Sequence, residues 1–314
     1  MITLLLIPLL LPWALPPLAR RTAQRVRPDM ALCVMTGAAA ALALGVVSCL
    51  GVLLLPLVLR VPVIAALAHV LQPVHAGPPA LVVAVAALSA GALAVTMGVG
   101  VRGAAVEVTR LRTARKKIAH LPGAGDMRVV DDERPDAFAL PGGMRGAGRI
   151  VVTEGMLQAL QPGEREVLIG HERAHLAARH HLFLAVAQLA GWCHPALSAV
   201  IPHISFAAER AADEAAARVC GDRRLAARAV GRAALAATHR RNRGALPVVA
   251  AGGTTGPVPA RVKALLAKPP VRRTAPALMA MVLLCAVAGA SSLTGAAWLH
   301  HGVEVAQGEL PPNG

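Results

Sequence analysis

The sequence predicts an α-helical membrane protein with about four transmembrane helices, joined to a mainly helical α+β domain. Of its 314 residues, 55% are hydrophobic and only 16% are charged, whereas an average soluble domain has about 25% charged residues. The apolar residues are concentrated in long uncharged runs that alternate with basic stretches. This alternation is typical of membrane spans rather than of one large soluble core.

Four apolar runs are long enough to cross ~30 Å of hydrocarbon. They cover residues 2–18, 31–59, 80–101 and 275–299. The first run occupies the position of a signal peptide, but no basic segment precedes it, and several arginines follow it between residues 20 and 27. This order of charges favours a retained span.

Basic residues set the predicted orientation, because positively charged connections stay in the cytoplasm. They follow the first and third spans and precede the fourth, whereas the second connection has one basic residue and the C-terminal tail has no Lys or Arg. We therefore expect a multi-pass protein of the cell membrane with both termini outside the cytoplasm. Its predicted parts are three transmembrane helices (1–101), a cytoplasmic domain (102–273), a fourth transmembrane helix (274–299) and a short extracytoplasmic tail (300–314).

A further apolar run covers residues 182–207 and is interrupted by two His-Pro or Pro-His pairs. If this run spanned the membrane, its two flanks would lie on opposite sides, although both are basic or carry candidate site residues. We therefore interpret it as buried helices of the cytoplasmic domain, close to the bilayer. A true membrane span is the alternative.

The net charge of +15 raises the question of nucleic-acid binding. Arginines that flank membrane spans account for the same charge, and the chain has no tyrosine and only 2% aromatic residues, so surfaces for stacking bases are scarce. We expect the lipid bilayer as a partner and no direct contact with nucleic acid. The five cysteines show no C-x-x-C spacing, which argues against a thiolate metal site.

The cytoplasmic domain begins with a basic helix that continues the third span to about residue 119. Two short β-branched runs, 127–131 and 149–153, predict a pair of strands joined through a Gly-rich turn. Helices are predicted for the rest of the domain, with Thr153 and Asp222 as N-cap residues. These helices are a short one after residue 153, a long one from 164, and others over 207–219, 222–238 and 260–268.

The most informative motif is His171-Glu172-Arg173-Ala174-His175, an H-E-x-x-H sequence on the long predicted helix. Residues four positions apart lie on one face of a helix, so both imidazoles can bind one metal ion. Glu172 follows the first ligand and can reach a metal-bound water as general base. The sequence therefore predicts a site for one zinc ion. Charged residues on both sides of the motif argue against a site within the membrane.

Two downstream acids complete the predicted site. A catalytic zinc usually has three protein ligands, and Glu209, on a later predicted helix, is the best third ligand. Asp213 lies four residues further along the same face, where it can accept a hydrogen bond from a ligand imidazole. A solvated helix face is the alternative for this pair, but the upstream motif favours the site. His180 and His181 are interpreted as surface residues or as groups that surround the ligands.

Two further features have less specific interpretations. His239, which two arginines follow, is a candidate for stabilising the oxyanion, although a basic helix end is the interpretation that we favour. Ile150, Val151 and Val152 are candidates for a strand at a sheet edge to which an extended substrate adds. An ordinary hairpin in the core is the alternative for these three residues.

Several motifs occur in a recognisable order: D-A-F-A-L-P-G-G (136–143), R-I-V-V-T-E-G-M-L (149–157), H-E-R-A-H (171–175), W-C-H-P (192–195) and E-R-A-A-D (209–213). Together they resemble the membrane zinc metallopeptidases of the beta-lactam-sensor (BlaR/MecR) type, which are related to HtpX-like and CAAX-prenyl endopeptidases. The resemblance covers about residues 120–270. The layout of three spans, a domain and a fourth span favours the sensor type.

The resemblance implies a gluzincin-like α+β fold for the domain. In it, His171, His175 and Glu209 would match the zinc ligands, Glu172 the base, and Asp213 the acid beside a ligand. It also implies a protein substrate, with a cytoplasmic transcriptional repressor as the candidate partner.

The sequence departs from the sensor type in two respects. Only residues 300–314 follow the last span, so we do not expect beta-lactam sensing. Asp136 replaces an asparagine that is common in the related peptidases, a change that bears on substrate binding and not on the zinc chemistry.

The function that we expect from these observations is a membrane-integrated zinc metalloendopeptidase that cleaves a protein at the cytoplasmic face. Two alternatives stay open. One is a non-catalytic membrane signalling or scaffold protein with a vestigial zinc site, and the other is an HtpX-like protease for quality control of membrane proteins.

Overall fold

The computed structural model of the protein describes residues 7–67, 78–143, 147–241, 257–267 and 275–307. These residues form mostly α-helices and one small β-sheet. In chain order the helices are α1 (Leu15–Arg25), which a 3-10 helix (Leu11–Ala14) precedes, α2 (Pro28–Val58), α3 (Pro62–Leu67), α4 (Pro79–Ile118), α5 (Glu154–Ala159), α6 (Pro162–Ala177), α7 (His180–Cys193), α8 (Pro195–Ser198), α9 (Ile201–Cys220), α10 (Arg223–Arg241), α11 (Val258–Leu266) and α12 (Ala275–Gln307). The strands are β1 (Met127–Val130), β2 (Ala137–Leu140) and β3 (Arg149–Thr153).

Within the described residues, three helices are long and apolar enough to cross a membrane: α2, α4 and the part of α12 from Leu278 to Val305. They coincide with the second, third and fourth predicted spans. The first predicted span, residues 2–18, begins outside the described residues, and its described part includes the 3-10 helix and the start of α1. A span at this position, and the total of four, therefore stay predictions.

One apolar core joins two of the candidate spans, α2 and α12, to the helices that follow the H-E-x-x-H motif. The apolar run 182–207 forms α7, α8 and the start of α9, and a proline lies in the first turn of both α8 and α9, where proline is well tolerated. None of these three helices is among the candidate spans found in the described residues. Its largest fully buried side chains include Leu15, Met35, Leu42, Leu197, Ile204 and Met281.

Helix α4 connects the membrane region to the sheet. It has 40 residues and is therefore about 60 Å long. Its first half is a candidate span, and the end of its basic second half packs against the sheet. A Cβ atom at Gly103 would overlap the indole ring of Trp192 on α7, so glycine at this position lets α4 and α7 approach closely.

The sheet has the strand order β1-β3-β2, with β1 parallel and β2 antiparallel to β3. The hairpin prediction is wrong, because β1 and β3 are parallel and residues 137–140 form an additional strand. The edge prediction for Ile150, Val151 and Val152 is also wrong, because β3 is the central strand and is paired on both sides. These three residues are 0–2% exposed, which is the burial that a central strand gives to apolar β-branched side chains.

Helices α6 and α9 contact each other through small residues at their crossing point. A Cβ atom at Gly170 of α6 would lie 3.8 Å from Ala216 of α9, which is ordinary van der Waals contact. Arg210 of α9 is buried and donates a hydrogen bond to the carbonyl oxygen of Ala23 in α1 (2.6 Å). Helix α9 is therefore fixed between α6 and the helix that precedes the first candidate span.

Candidate active site

The H-E-x-x-H motif lies in the second half of α6. The helix begins with a proline, and the backbone N–H of Gln161 donates a hydrogen bond to the carboxylate of Glu164 (3.0 Å), so its first turn is capped. Glu164 is buried and also pairs with Arg232 of α10 (3.0 Å). These contacts hold the start of the helix that carries His171 and His175.

Glu209 and Asp213 lie one turn apart in α9. Small alanines surround them, so α6 can approach α9 closely. The helix ends where Gly221 adopts a φ of 71°, in the left-handed region that favours glycine. Both acids make their closest contacts with the imidazoles of α6 and with Arg261 of α11.

The structure brings together the three residues that were predicted as metal ligands. One ligand atom each of His171, His175 and Glu209 lies within 4.8 Å of the other two. The two Nε2 atoms are 3.1 Å apart. The carboxylate oxygens of Glu209 lie 3.5 Å from Nε2 of His171 and 3.6 Å from Nε2 of His175.

These distances fit a single zinc ion. A tetrahedral centre with ligand bonds of about 2.0–2.2 Å separates its ligand atoms by about 3.3–3.6 Å, close to the three distances in the structure. Two imidazoles and one carboxylate are also a ligand set of catalytic zinc sites, which leave the fourth position open for water or substrate.

Asp213 and Arg261 surround the ligands on the α9 side. Oδ1 of Asp213 lies 3.0 Å from Nδ1 of His171, a position from which a carboxylate can fix the ring orientation. Arg261 donates to both oxygens of Asp213 (2.8 and 2.6 Å) and lies 2.7 Å from Oε2 of Glu209. Arg261 is 6% exposed and Asp213 is 2% exposed, so one buried guanidinium balances two acids.

His180 surrounds the ligands on the other side. Its Nδ1 lies 3.0 Å from Nδ1 of His175, and the residue is buried. Arg179, just before it, has a φ of 51°, and this left-handed residue lies at the turn between α6 and α7. His180 is therefore a neighbour of a candidate ligand ring rather than a surface residue.

Burial and neighbouring charges set the pKa values of the cluster. Burial lowers the pKa of His171, but the hydrogen bonds with Asp213 and Glu209 outweigh it and raise this pKa to about 10. Burial, and then the charge of His171, lowers the pKa of His175 to about 3. Burial raises the pKa of Glu209, but His171 and Arg261 bring it below its usual value. The acids therefore stabilise positive charge at His171, on the side of the cluster where a bound cation would supply it.

Glu172 lies between the ligand cluster and the sheet. It is 8% exposed, and this burial raises its pKa to about 7, while His171 and a hydrogen bond from the backbone N–H of Ala139 act in the opposite direction. Ala139 belongs to β2, which is an edge strand of the sheet. The strand beside the candidate base is therefore β2 and not β3.

No pattern in the sequence identifies Arg261, because it is one of many arginines and has no fixed spacing from the motif. His180 is five residues after His175, outside the i,i+3 and i,i+4 spacings that mark one helix face. His239 lies in α10, but its side chain is outside the described part of the chain, so its role stays a prediction.

Comparison with protein-family models matches residues 104–268, more than half of the chain, to peptidase family M48. The match includes both elements that carry the ligand cluster and also the helix that carries Arg261. Members of this family are zinc metallopeptidases. Searches of curated proteins and of solved structures find no match.

Proposed function

Because the chain belongs to peptidase family M48, we propose that it is a membrane-bound zinc endopeptidase that cleaves a protein substrate. The observation that carries this proposal is the convergence of His171, His175 and Glu209 within 4.8 Å, beside the buried Glu172. The three converging residues would hold the zinc ion. When bound, the ion would supply a Lewis acid for the peptide carbonyl and for water.

Glu172 is the general base in this proposal. Its raised pKa of about 7 suits a group that takes a proton from the attacking water and gives it up again near neutral pH. The proton passes from water to the Glu172 carboxylate, and then to the nitrogen of the leaving amine as the C–N bond breaks. The Ala139 N–H holds the carboxylate beside β2 during both transfers.

Asp213, Arg261 and His180 position the ligands. Asp213 accepts the Nδ1 proton of His171, which leaves Nε2 free to bind the metal. Arg261 holds Asp213 through two hydrogen bonds and also contacts Glu209, so it fixes one acid relative to the other. His180 contacts the ring of His175 on its Nδ1 side.

The substrate binds along β2. An extended peptide that pairs with the outer side of an edge strand gains main-chain hydrogen bonds without regard to its sequence. Since Ala139 of β2 contacts Glu172, such a peptide runs past the base. This arrangement supports cleavage within a chain rather than at its end.

Residues 102–273 form the cytoplasmic domain, and residues 300–314 lie on the other side of the membrane. The basic residues beside the candidate spans support this orientation. The substrate is then a cytoplasmic protein or the cytoplasmic part of a membrane protein. A transcriptional repressor is the substrate that the resemblance to the sensor type suggests.

Proteolysis of an unfolded protein tests the proposed function. Casein is incubated with the purified full chain in detergent and zinc, and its fragments are measured. We expect Glu172→Gln to lower the cleavage rate by about 10²–10⁴-fold while the zinc content is unchanged. Glu166→Gln, an exposed position on the same helix, is the matched control and should cleave at the original rate. Equal cleavage by Glu172→Gln and by the unchanged chain would rule out this role for Glu172.

The identity of the substrate requires a comparison in cells. Proteins that accumulate in cells with the Glu172→Gln chain, but not in cells with the unchanged chain, are substrates or proteins whose levels depend on a substrate. A repressor among them would support regulatory cleavage, whereas unfolded membrane proteins would support quality control.

A further inference from the structure

A basic cavity of about 180 Å³ lies at the end of the sheet, outside the ligand cluster. It forms where α4 and β2 end and β3 begins. Three arginines, one from each of α4, β1 and β3, line it together with the chain that leaves β2. The lining includes Arg115, Arg128, Leu140, Gly142, Gly143 and Arg149.

The three guanidinium groups have N–H donors left that can form hydrogen bonds with an anion. Within the described residues, their hydrogen bonds go to main-chain carbonyl oxygens: Arg115 to Pro141 and Gly142, Arg128 to Gly125 and Met127, and Arg149 to Gly148. Each guanidinium has five N–H donors, so several donors per arginine are not used by these bonds.

Asp126, an acid that interacts with one of the cavity arginines, forms its hydrogen bonds with an arginine outside the cavity. Asp126 interacts electrostatically with Arg149, but it forms a two-point pair with Arg173 through contacts of 2.8 Å each. The positive charge of the cavity is therefore not balanced by that acid. An anionic group that enters the cavity would meet three cations and a rim of backbone.

The cavity adjoins the end of β2, on the face of the sheet that packs against α4. Ala139 contacts Glu172, Leu140 is the next residue, and Gly143 is the last cavity residue before the chain leaves the described part. Leu140 also lies directly opposite Arg149 in the β2–β3 register. At about 3.3 Å per residue, a peptide paired with β2 would reach the cavity about one to four residues from its cleaved bond.

The position of Arg115 argues against a lipid headgroup as the occupant. The charged part of α4 begins at Arg102, and Arg115 follows it by about 20 Å of helix. Headgroups extend only about 5–8 Å beyond the hydrocarbon on each side of a bilayer. A group carried by a protein can reach the cavity at this height.

We propose that this cavity binds an acidic side chain of the substrate, on one side of the cleaved bond, and so selects substrates with Asp or Glu near that bond. This inference rests on the proposed function, because it requires the peptide to lie along β2. The cavity would make the peptidase select among substrate sequences, which main-chain pairing with β2 alone does not do.

Cleavage-site profiling tests the inference. A library of peptides from a digested proteome is incubated with the purified full chain in detergent, and the new ends are identified by mass spectrometry. Because a hydrogen-bonded charge pair is worth about 1.5 kcal/mol or more, we expect sites with Asp or Glu at one position within about four residues of the bond to be cut roughly tenfold faster than sites with Asn or Gln there.

Variants of the lining arginines test whether the preference for acidic residues arises from this cavity. The double variant Arg128→Gln/Arg149→Gln should lose the acidic preference and still cut sites without acids. Arg149→Glu should shift the preference toward Lys and Arg. Arg112→Gln, an exposed arginine of α4, is the matched control and should retain the original profile.

Three results would overturn the inference. The first is cleavage by the unchanged chain without any acidic preference, which leaves the proposed function intact. The second is an acidic preference that persists both in Arg128→Gln/Arg149→Gln and in Arg149→Glu. The third is a double variant that keeps the acidic preference but no longer binds phosphatidylglycerol vesicles that the unchanged chain binds, which would assign the cavity to lipid. No cleavage by the unchanged chain would instead refute the proposed function, and this inference with it.

Discussion

At the scale of single residues, buried charge distinguishes this site from an ordinary helix crossing. Glu172, Glu209 and Asp213 lie close together in a region with little solvent, and Arg261 is the cation of α11 that contacts two of them. Removing one partner of a buried ion pair leaves an uncompensated charge, which is far more costly than losing an exposed pair. We therefore expect Arg261 to contribute to stability and, in the proposed site, to the placement of the candidate ligands.

Replacing Arg261 with methionine should lower the free energy of unfolding by about 3–5 kcal/mol. Chemical denaturation of the metal-free chain in detergent, followed by circular dichroism, measures this loss. Lys263→Met is the matched control, since Lys263 is exposed on the same helix, and its effect should stay within about 0.5 kcal/mol. Equal stability of the two variants would show that Arg261 does not balance the acids.

The residues of the site differ in how far the sequence predicts them. His171, Glu172 and His175 share a spacing that helix geometry makes meaningful, and Glu209 follows from the need for a third ligand. Arg261 is outside any such pattern, because its role depends on how α11 packs against α9. A contact between residues distant in the chain leaves no periodic signal in the sequence.

At the scale of elements, local signals predicted helices better than strands. The predicted caps are present: the Thr153 side chain accepts a hydrogen bond from the N–H of Met156 (3.2 Å), and Asp222 accepts one from the N–H of Arg224 (2.7 Å). By contrast, the sequence predicts only a Gly-rich turn between the two strands, and residues 137–140 form a third strand there. Their strand depends on pairing with β3, and strand pairing is a non-local contact that four residues do not encode.

The crossing of α4 and α7 gives a prediction about glycine. Gly103→Ala should destabilise the protein by about 1–3 kcal/mol, because its methyl group would overlap the ring of Trp192 and force a shift in the packing. Gly98→Ala is the matched control, since a Cβ there meets no atom within 4 Å. Thermal unfolding in detergent measures both variants. A melting temperature of Gly103→Ala at or above that of Gly98→Ala would show that the two helices do not need this glycine.

At the scale of the whole molecule, the peptidase domain and the membrane region share one core. Helix α9 carries Glu209 and Asp213, and its first half is buried together with residues of α1, α2 and α12. Helix α4 continues without interruption from a candidate span to the basic cavity. The candidate spans and the candidate site are therefore parts of one packed structure.

Reporter fusions test the proposed orientation. In a bacterial host, alkaline phosphatase fused after residue 314 should be active, because the enzyme folds only outside the cytoplasm, and a fusion after residue 120 should be inactive. The reverse pattern would place the peptidase domain outside. An N-terminal tag should react with an impermeant label added to intact cells if residues 2–18 form the first of four spans, whereas a protected tag would support three.

The zinc content of the purified full chain is the most direct check on the proposed metal centre. Elemental analysis should find about one zinc per chain in the unchanged protein and in Glu172→Gln, and less than about a tenth of that in His171→Ala and His175→Ala, since three protein ligands hold a catalytic zinc. A folded, unchanged chain that retains no more zinc than His175→Ala would contradict the assignment of His171, His175 and Glu209 as a zinc site.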